Sequence, residues 1–500
     1  MKNMTLARMA EACGGSYYGR AEDRDREICS VTTDSRKAEP GCLFAAIRGE
    51  RVDGHDFIAS VFEKGALCAL VETPPHLSSA AGRADNEKNA SHLVGALETP
   101  PAEQAGNYIK VESTIRALGA LAAYYLEQLA IPVVGVTGSV GKTSTKEMIA
   151  AVLSQKYHTL KTTGNFNNEL GLPLTIFRLR DEDEIAVLEM GINHFGEMHR
   201  LAQIAKPDTC VITNIGQCHL EFLGDRDGVL RAKTEIFDFL RPDGHIILNG
   251  DDDKLAAVRE VKAAQNAVIR PTFFGMGTEN AVYADRIVKK GLDGVECRIH
   301  IASGDCFTVR IPIPGVHMVR NALAATAVGL RYGLTTEEIR AGIESLQPVS
   351  GRFHIIHTEN FTIIDDCYNA NPMSMKASLE VLQDGSDEEK PGRRVAILGD
   401  MGELGGGEEQ MHREVGEFAG RLDIDLCVCV GSLSARIAEG ISEVSPEKKA
   451  LTLPDLPALL AQLPSLVKRG DTILVKASHF MHFETVVAKL EEMDQAEVRT

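Results

Sequence analysis

Residues 134–147 read VGVTGSVGKTSTKE, and the reading of this stretch decides the fold. An apolar run from Ile131 to Val136 predicts a strand and the glycines after it a tight turn, and Gly141-Lys142-Thr143 opens a helix over Lys146 to Leu153. Strand, glycine turn and helix start, in that order, form a seat for anions. The first N–H groups of a helix lack partners inside it, and the helix dipole adds positive potential there. Gly138, Ser139, Gly141, Lys142, Thr143 and Ser144 are the candidate phosphate contacts. Lys142 can neutralise phosphate charge, and the Thr143 hydroxyl is placed to ligate Mg²⁺. The strict pattern G-x-x-x-x-G-K-[ST] is not met, because Val136 stands at its first glycine. A plain glycine turn is the alternative; GKT directly after a buried strand favours phosphate. The loop indicates a nucleotide without saying what is done with it.

Outward from this loop, apolar strands alternate with helical stretches. IAVLEMG, TCVITNIG and GHIILNG are predicted strands of a doubly wound α/β sheet, with ligands at their carboxyl ends. A polar, strand-rich stretch from Val282 to Ile313 precedes a helix over His317 to Tyr332. The helix TTEEIRAGIESL then ends near Pro348, a natural boundary. Beyond it FTIID, RVAILGD, LCVCVG and TILVKAS predict a second α/β unit that has no GKT of its own. Before the loop, CLFAAI and CALVE read as short strands and Ser113 to Leu129 as a helix. Residues 74–106, rich in Ala, Glu, Pro and Asn, read as an exposed insertion without a chemical role.

Five hundred residues exceed one hydrophobic core and suggest about three domains. A net charge of −18 argues against nucleic acid or an anionic membrane as partner, so an anionic substrate needs local basic groups. The start MKNMTLARMAEACGG has no long apolar core, and no apolar run reaches the length of a membrane span, so a cytoplasmic protein is expected. Eleven scattered cysteines without a C-x-x-C pair read as reduced thiols of the core.

Several side chains lie where these strands should end. Glu189 closes IAVLEMG and reads either as a metal ligand or as an exposed strand-end carboxylate. His219 follows TCVITNIG, and Lys233 lies on the next helix; each is a structural residue or a member of the phosphate site. TTGNFNNELGLPLT, with Asn165, Asn167 and Asn168, is a turn by composition that also offers hydrogen-bond donors.

Taken together the motifs resemble the Mur ligase family over nearly the whole chain, apart from the polar insertion. In family order they are TDSRKAEPGCLFAAIRGERVDGHDF, TGSVGKTSTKE, TTGNFNNELGLPLT, LEMGINHFGE, the segment His219 to Lys233, VHMVRNALAA, DDCYNANPMSM and GDMGELG. The resemblance implies three domains. Residues 1–112 form a small α/β module binding the UDP-sugar substrate, 113–348 a central P-loop domain binding ATP, and 349–500 a Rossmann-like domain that binds D-alanyl-D-alanine and closes on ATP. It also explains Val136, because the family's loop has no glycine there. DDCYNANPMSM, GDMGELG and the NFNNELG turn favour the branch that adds D-alanyl-D-alanine to UDP-N-acetylmuramoyl-tripeptide, and no DNPR-type motif of a sister branch is present. A neighbouring ligase of the folylpolyglutamate synthase type, and a non-ligating nucleotide switch, are the competing readings.

By the same resemblance, ATP and two Mg²⁺ sites are expected. Lys142 and Thr143 hold the β- and γ-phosphates, with Glu189, His219 and a carbamylated Lys233 at the metals. Asn321 contacts adenine, Arg352 phosphate and Asp366 ribose. Ser35 and Arg36 contact UDP, with Asp53, Gly54 and His55 a structural turn beside them. Asn165, Asn167, Asn168, Tyr368, Asn369 and Asn371 serve the substrates. A monomer that closes during turnover is expected. One departure stands out: Lys476-Ala477-Ser478-His479 replaces the family's K-G-S-R, so a titratable ring stands in for a permanent cation near the dipeptide site.

Overall fold

The computed structural model describes residues 1–73, 106–262, 268–385 and 392–498 and contains three α/β sheets and a short two-stranded ribbon. All of the insertion read at 74–106 except Gly106 lies outside the described residues. By backbone proximity the chain divides into two compact units. One comprises residues 1–133, 160–190 and 199–207; the other 134–159, 191–198 and 208–500.

The first unit holds strands β1 (Ser16–Tyr18), β2 (Val31–Thr32), β3 (Leu43–Ala45), β4 (Cys68–Val71) and β5 (Asn107–Lys110), in the order β1-β5-β4-β3-β2. Only β1 runs antiparallel to its neighbour. The apolar residues of CLFAAI and CALVE account for β3 and β4, whose inner face packs Phe44, Ala69 and Val71 against Ile58, Val61 and Tyr108. The helix Thr114–Leu129 follows; the Ser113 hydroxyl caps its start, and Ala130, left-handed at φ 54°, ends it. The buried Tyr125 hydroxyl of that helix donates to Leu179 O at 2.7 Å.

The second unit opens on β6 (Val133–Thr137). The chain then passes through β7 (Thr159–Lys161) and β8 (Ile185–Glu189), adjacent strands assigned mainly to the first unit. It continues through β9 (Thr209–Ile212), β10 (His245–Asn249), the ribbon β11 (Val261–Lys262) and β12 (Val268–Ile269), and β13 (Thr272–Gly275). A meander of β14 (Val282–Lys289), β15 (Val295–Ile301) and β16 (Cys306–Ile311) completes the series. Within this unit the sheet order is β16-β15-β14-β13-β10-β9-β6, parallel from β6 to β14 and antiparallel beyond. The parallel strands β6 and β9 are buried throughout, as expected where both faces of a sheet are covered.

The helix expected over Lys146 to Leu153 begins earlier, at Lys142. Gly141, at φ 80°, turns the chain into it, and burial of Thr143 and Thr145 outweighs the weak helix preference of β-branched residues. This helix packs on His317–Arg331 and Thr336–Glu344 through small residues. A Cβ on Gly342 would lie 2.4 Å from Val152 Cα, and one on Gly329 would lie 2.9 Å from Val152 Cγ1.

The last sheet comprises β17 (His354–His357), β18 (Thr362–Asp365), β19 (Arg394–Gly399), β20 (Leu426–Val430), β21 (Lys449–Leu453) and β22 (Thr472–Lys476). Its order is β17-β18-β22-β19-β20-β21, with only β17 antiparallel. One of its faces packs Ile363, Val395, Ile397, Val428 and Ile473 against Leu459, Leu463, Phe483 and Leu490. All eleven cysteines are free thiols; Cys29 and Cys306 are exposed, Cys13 is half-buried and the others are buried. Among the described residues no helix is long and apolar enough to cross a membrane.

Candidate active site

The phosphate loop lies between β6 and the helix Lys142–Leu153, where its amides are aimed by a clamp from the segment after β9. Val140 is held at both polar groups: its N–H donates to Asn214 Oδ1 at 2.9 Å, and its carbonyl accepts from Thr213 Oγ1 (2.6 Å) and Asn214 Nδ2 (2.9 Å). The Ser139 N–H donates to Asn214 O, and the Ser139 hydroxyl accepts from Gly216 N–H at 2.8 Å. Gly138 is required by both space and conformation. At φ 149°, a Cβ there would sit 1.9 Å from Thr213 Oγ1. Lys142 curls over the loop and donates to Gly138 O at 2.9 Å, its ammonium poised over the anion seat. Thr143, in the first turn of the helix, is buried. Behind the loop Asn321 is buried and accepts from Thr145 Oγ1 at 3.0 Å, so its amide oxygen braces the phosphate loop.

The segment from Ile215 to His219 is anchored in turn. The Ile215 N–H donates to the buried Asp252 carboxylate at 2.8 Å, and its carbonyl accepts from Arg226 Nε at 2.8 Å. His219 adopts left-handed backbone at φ 52°, and its Nδ1 lies 2.5 Å from Glu403 Oε2. Burial lowers the His219 pKa, opposed by the hydrogen bond that its Nδ1–H donates to Glu403. Lys233, on the helix Arg226–Thr234, is buried, and desolvation brings its ammonium down to about 8. The charge of Lys142 pushes the same way, so these two cations feel each other. Loop, His219 and Lys233 thus belong to one connected region of the second unit.

The C-terminal candidates form a second group there. The Arg352 guanidinium lies 4.1 Å from the Tyr368 ring centroid, a cation–π contact, and the His479 ring lies 5.5 Å beyond that of Tyr368. Asp366, expected at ribose, is buried; it accepts from Lys476 Nζ at 2.5 Å and from Ser378 Oγ at 2.6 Å. Lys476 also donates to Asn369 O at 3.1 Å, which ties the segment 366–369 to the end of β22. Asn371 caps the helix Pro372–Asp384 in a reciprocal box with Ser374. Ala477, the departure beside Lys476, is fully buried. A Cβ on Gly399 would come within 2.6 Å of its methyl.

In the first unit Ser35 and Arg36 occupy a short turn capped by Asp34. Arg36 pairs with Asp34 through two bonds of 2.9 Å, which hold that carboxyl down to about 2. Asp53 caps His55 and pairs with Arg48 at 3.0 Å, and its carboxyl is likewise held down to about 2, chiefly by the His55 N–H. The His55 ring bridges Asp53 to the Glu72 N–H, and Glu72 accepts from Thr114 N–H, so the DGH stretch is the structural turn read from sequence. Asn167 Nδ2 donates to Glu189 Oε1 at 2.8 Å, which joins the Asn-rich turn to the buried end of β8. Asn168 instead caps the backbone at Leu170 and Gly171, and Asn165 accepts from Asn167 N–H through its carbonyl.

Sequence reasoning gave no holding role to Thr213, Asn214, Asp252, Lys476 or Glu403, although it quoted Lys476 and the motif of Glu403. Asn214, two residues after the end of β9, carried the one usable signal, since a polar amide so close to a buried strand needs partners. No cluster of three or more His, Cys, Asp or Glu side chains suited to a metal is present among the described residues. Mg²⁺ takes one or two protein ligands and completes its shell with phosphate oxygens and water. With Glu403 at Nδ1, His219 presents Nε2 as its remaining nitrogen, so these residues fit such an ion.

Comparison with known proteins bears on the whole length. Residues 27–126 match the Mur ligase family catalytic domain, 136–329 the Mur ligase middle domain, and 351–479 the Mur ligase glutamate ligase domain. The UDP-N-acetylmuramoyl-tripeptide–D-alanyl-D-alanine ligase of Bacillus subtilis is 37% identical over 98% of this chain and 99% of its own. A crystal structure of MurF from Acinetobacter baumannii superposes with a TM-score of 0.82 at 35% identity, covering 98% of both chains. MurF from Thermotoga maritima, solved in complex with ADP, gives a TM-score of 0.75 at 28% identity, over 94% of this chain and 98% of its own. End-to-end likeness in sequence and fold, carried by all three domains, places this chain in the Mur ligase family, in its UDP-N-acetylmuramoyl-tripeptide–D-alanyl-D-alanine ligase branch.

Proposed function

We propose that this chain is an ATP-dependent ligase joining D-alanyl-D-alanine to UDP-N-acetylmuramoyl-tripeptide, a step of peptidoglycan synthesis. The observation that carries the reading is the phosphate loop clamped to the segment bearing His219, beside the buried Lys233. A carboxylate is a poor electrophile, so amide formation needs an activated leaving group. The terminal carboxylate oxygen of the tripeptide attacks the γ-phosphorus of ATP, the bond to ADP breaks, and an acyl phosphate forms. The amine of D-alanyl-D-alanine adds to the acyl carbon, loses a proton, and the tetrahedral intermediate expels phosphate. The protein's part is alignment and charge neutralisation.

For that work Gly138, Ser139, Gly141, Lys142, Thr143 and Ser144 receive the β- and γ-phosphates. Lys142 exchanges its bond to Gly138 O for phosphate oxygen. Asn321 supports the adenine side, with Arg352 and Asp366 acting from the C-terminal domain. Thr143, Glu189, His219 and Lys233 as carbamate are the residues that would hold Mg²⁺, at two sites, and when bound it would supply Lewis-acid neutralisation of phosphate charge. Burial deprives the Lys233 ammonium of hydration with Lys142 nearby, which favours attack of the neutral amine on CO₂. The ammonium first gives up one proton; the N–C bond to CO₂ then forms, a second proton leaves the nitrogen, and a side chain that was a cation is an anion. Ser35, Arg36, Asn165, Asn167, Asn168, Tyr368, Asn369 and Asn371 are assigned to the substrates. Functionally the chain divides at 1–112, 113–348 and 349–500 and works as a cytoplasmic monomer.

The test is phosphate release with both substrates, offering tripeptides ending in lysine and in meso-diaminopimelate separately. Release is expected only when ATP, a tripeptide and D-alanyl-D-alanine are all present. Release with a folate substrate would support the folylpolyglutamate type, and release with neither acceptor would support a switch. Lys233→Ala should lose about 10²-fold or more in kcat, the scale of losing a preorganised charge-stabilising group. Full activity in that variant, together with indifference to bicarbonate, would remove the carbamate from the mechanism.

A further inference from the structure

We infer that Glu403 is the positioning residue of His219, so that the C-terminal domain completes a metal-binding side chain of the central one. This rests on the role proposed above for His219. Glu403 lies in GDMGELG, on the loop that follows β19, and its carboxylate reaches His219 Nδ1 at 2.5 Å across 184 residues of sequence. A carboxylate only accepts hydrogen bonds, so Nδ1 carries the proton and the lone pair lies on Nε2. A carboxylate behind a ligating imidazole fixes its tautomer, orients the ring and raises its basicity.

Three further observations show that the contact is built rather than incidental. Both partners are non-glycine residues in left-handed backbone, with φ 52° at His219 and 61° at Glu403. Such a conformation is disfavoured for a residue with a side chain and persists where the surroundings hold it. The two loops also approach closely at their backbones: a Cβ on Gly405 would lie 3.3 Å from both Cα and N of Glu221. Finally, Gly402 N–H donates to Ser478 Oγ at 2.9 Å, which ties the Glu403 loop to the end of β22, beside Lys476 and Asp366. The partner of His219 is therefore held in place by the sheet that carries β19 and β22.

The test compares the full-length wild type with Glu403→Ala, Glu403→Gln and Glu403→Asp. Mn²⁺ binding to the ADP complex is followed by loss of the free-ion EPR signal, a measurement that needs no turnover. Mg²⁺ dependence of ligation is measured in parallel. Glu403→Ala is expected to weaken Mn²⁺ binding about 10-fold and to raise the half-saturating Mg²⁺ by the same factor, leaving kcat at saturating Mg²⁺ within about 3-fold. Glu403→Gln keeps an acceptor oxygen at full reach and should return both values to within about 3-fold of wild type. Glu403→Asp, one methylene shorter, should behave as the alanine variant and replaces it if that variant fails to fold. Unchanged Mn²⁺ affinity in Glu403→Ala or Glu403→Asp, or a fall confined to kcat, overturns the inference. A wild type without ligase activity would overturn the proposed function instead, while the Mn²⁺ titration still decides the part played by Glu403.

Discussion

At the head of the helix His317–Arg331, the His317 ring lies 4.5 Å from that of Phe353, and its Nε2 is buried without a hydrogen-bond partner. Burial lowers its pKa to about 4, and the charges of Lys476 and Arg320 act in the same direction. Between this value and the ordinary one near 6.5, the unfolded chain binds a proton that the native chain does not. Stability from this site is therefore present near neutrality and falls as pH drops from about 6.5 through about 4. His317→Phe removes that titration and retains an aromatic ring against Phe353. Relative to wild type, the variant should gain about 2 kcal/mol between about pH 7 and about pH 5, read from urea unfolding at the two pH values. An equal difference at both would show that the native protein takes up this proton as readily as the unfolded chain. The sequence exposed His317 only as part of VHMVRNALAA; its burial depends on Phe353, which arrives from beyond the Pro348 boundary.

Among the elements, the three helices around Val152 show packing set by the absence of side chains. Gly342 meets the backbone of Val152 and Ala151, with an added Cβ at 2.4 Å from Val152 Cα and 2.9 Å from Ala151 O. Gly342→Ala gains up to about 1 kcal/mol of helix propensity. It must also force Thr336–Glu344 away from Lys142–Leu153, at about 1–3 kcal/mol. Overpacking wins, so the urea midpoint should fall; a rise would mean that the helices separate freely. Strand and helix identities were legible at this scale because apolar runs and capping residues are local signals. The opening of the phosphate-loop helix at Gly141-Lys142-Thr143 was legible too, although its regular part was read only from Lys146. The pairing of Asp366 with Lys476 was not, because residues far apart in the chain meet at the ends of β18 and β22. The resemblance assigned Asp366 to ribose, and the structure adds Lys476 and Ser378 as its partners.

Over the whole molecule, the three-domain α/β architecture followed from motif order and from alternating strand and helix patterns. What spacing could not supply was the bracing between loops: Thr213 and Asn214 on Val140, and Glu403 on His219. Such contacts depend on where loops meet in space. The eleven free thiols carry a practical consequence. Because no disulfide fixes the chain, its folding does not require an oxidant, and its handling in air is governed by two surface positions. A maleimide dye applied to the native protein should label Cys29 and Cys306 rapidly, and the remaining thiols only after denaturant is added. On storage without reductant, covalent dimers should form through those two sites and vanish in the double serine variant. Cys218, buried with its thiol 3.0 Å from the Ser139 hydroxyl, should stay reduced, leaving the nucleotide loop chemically untouched as the surface ages.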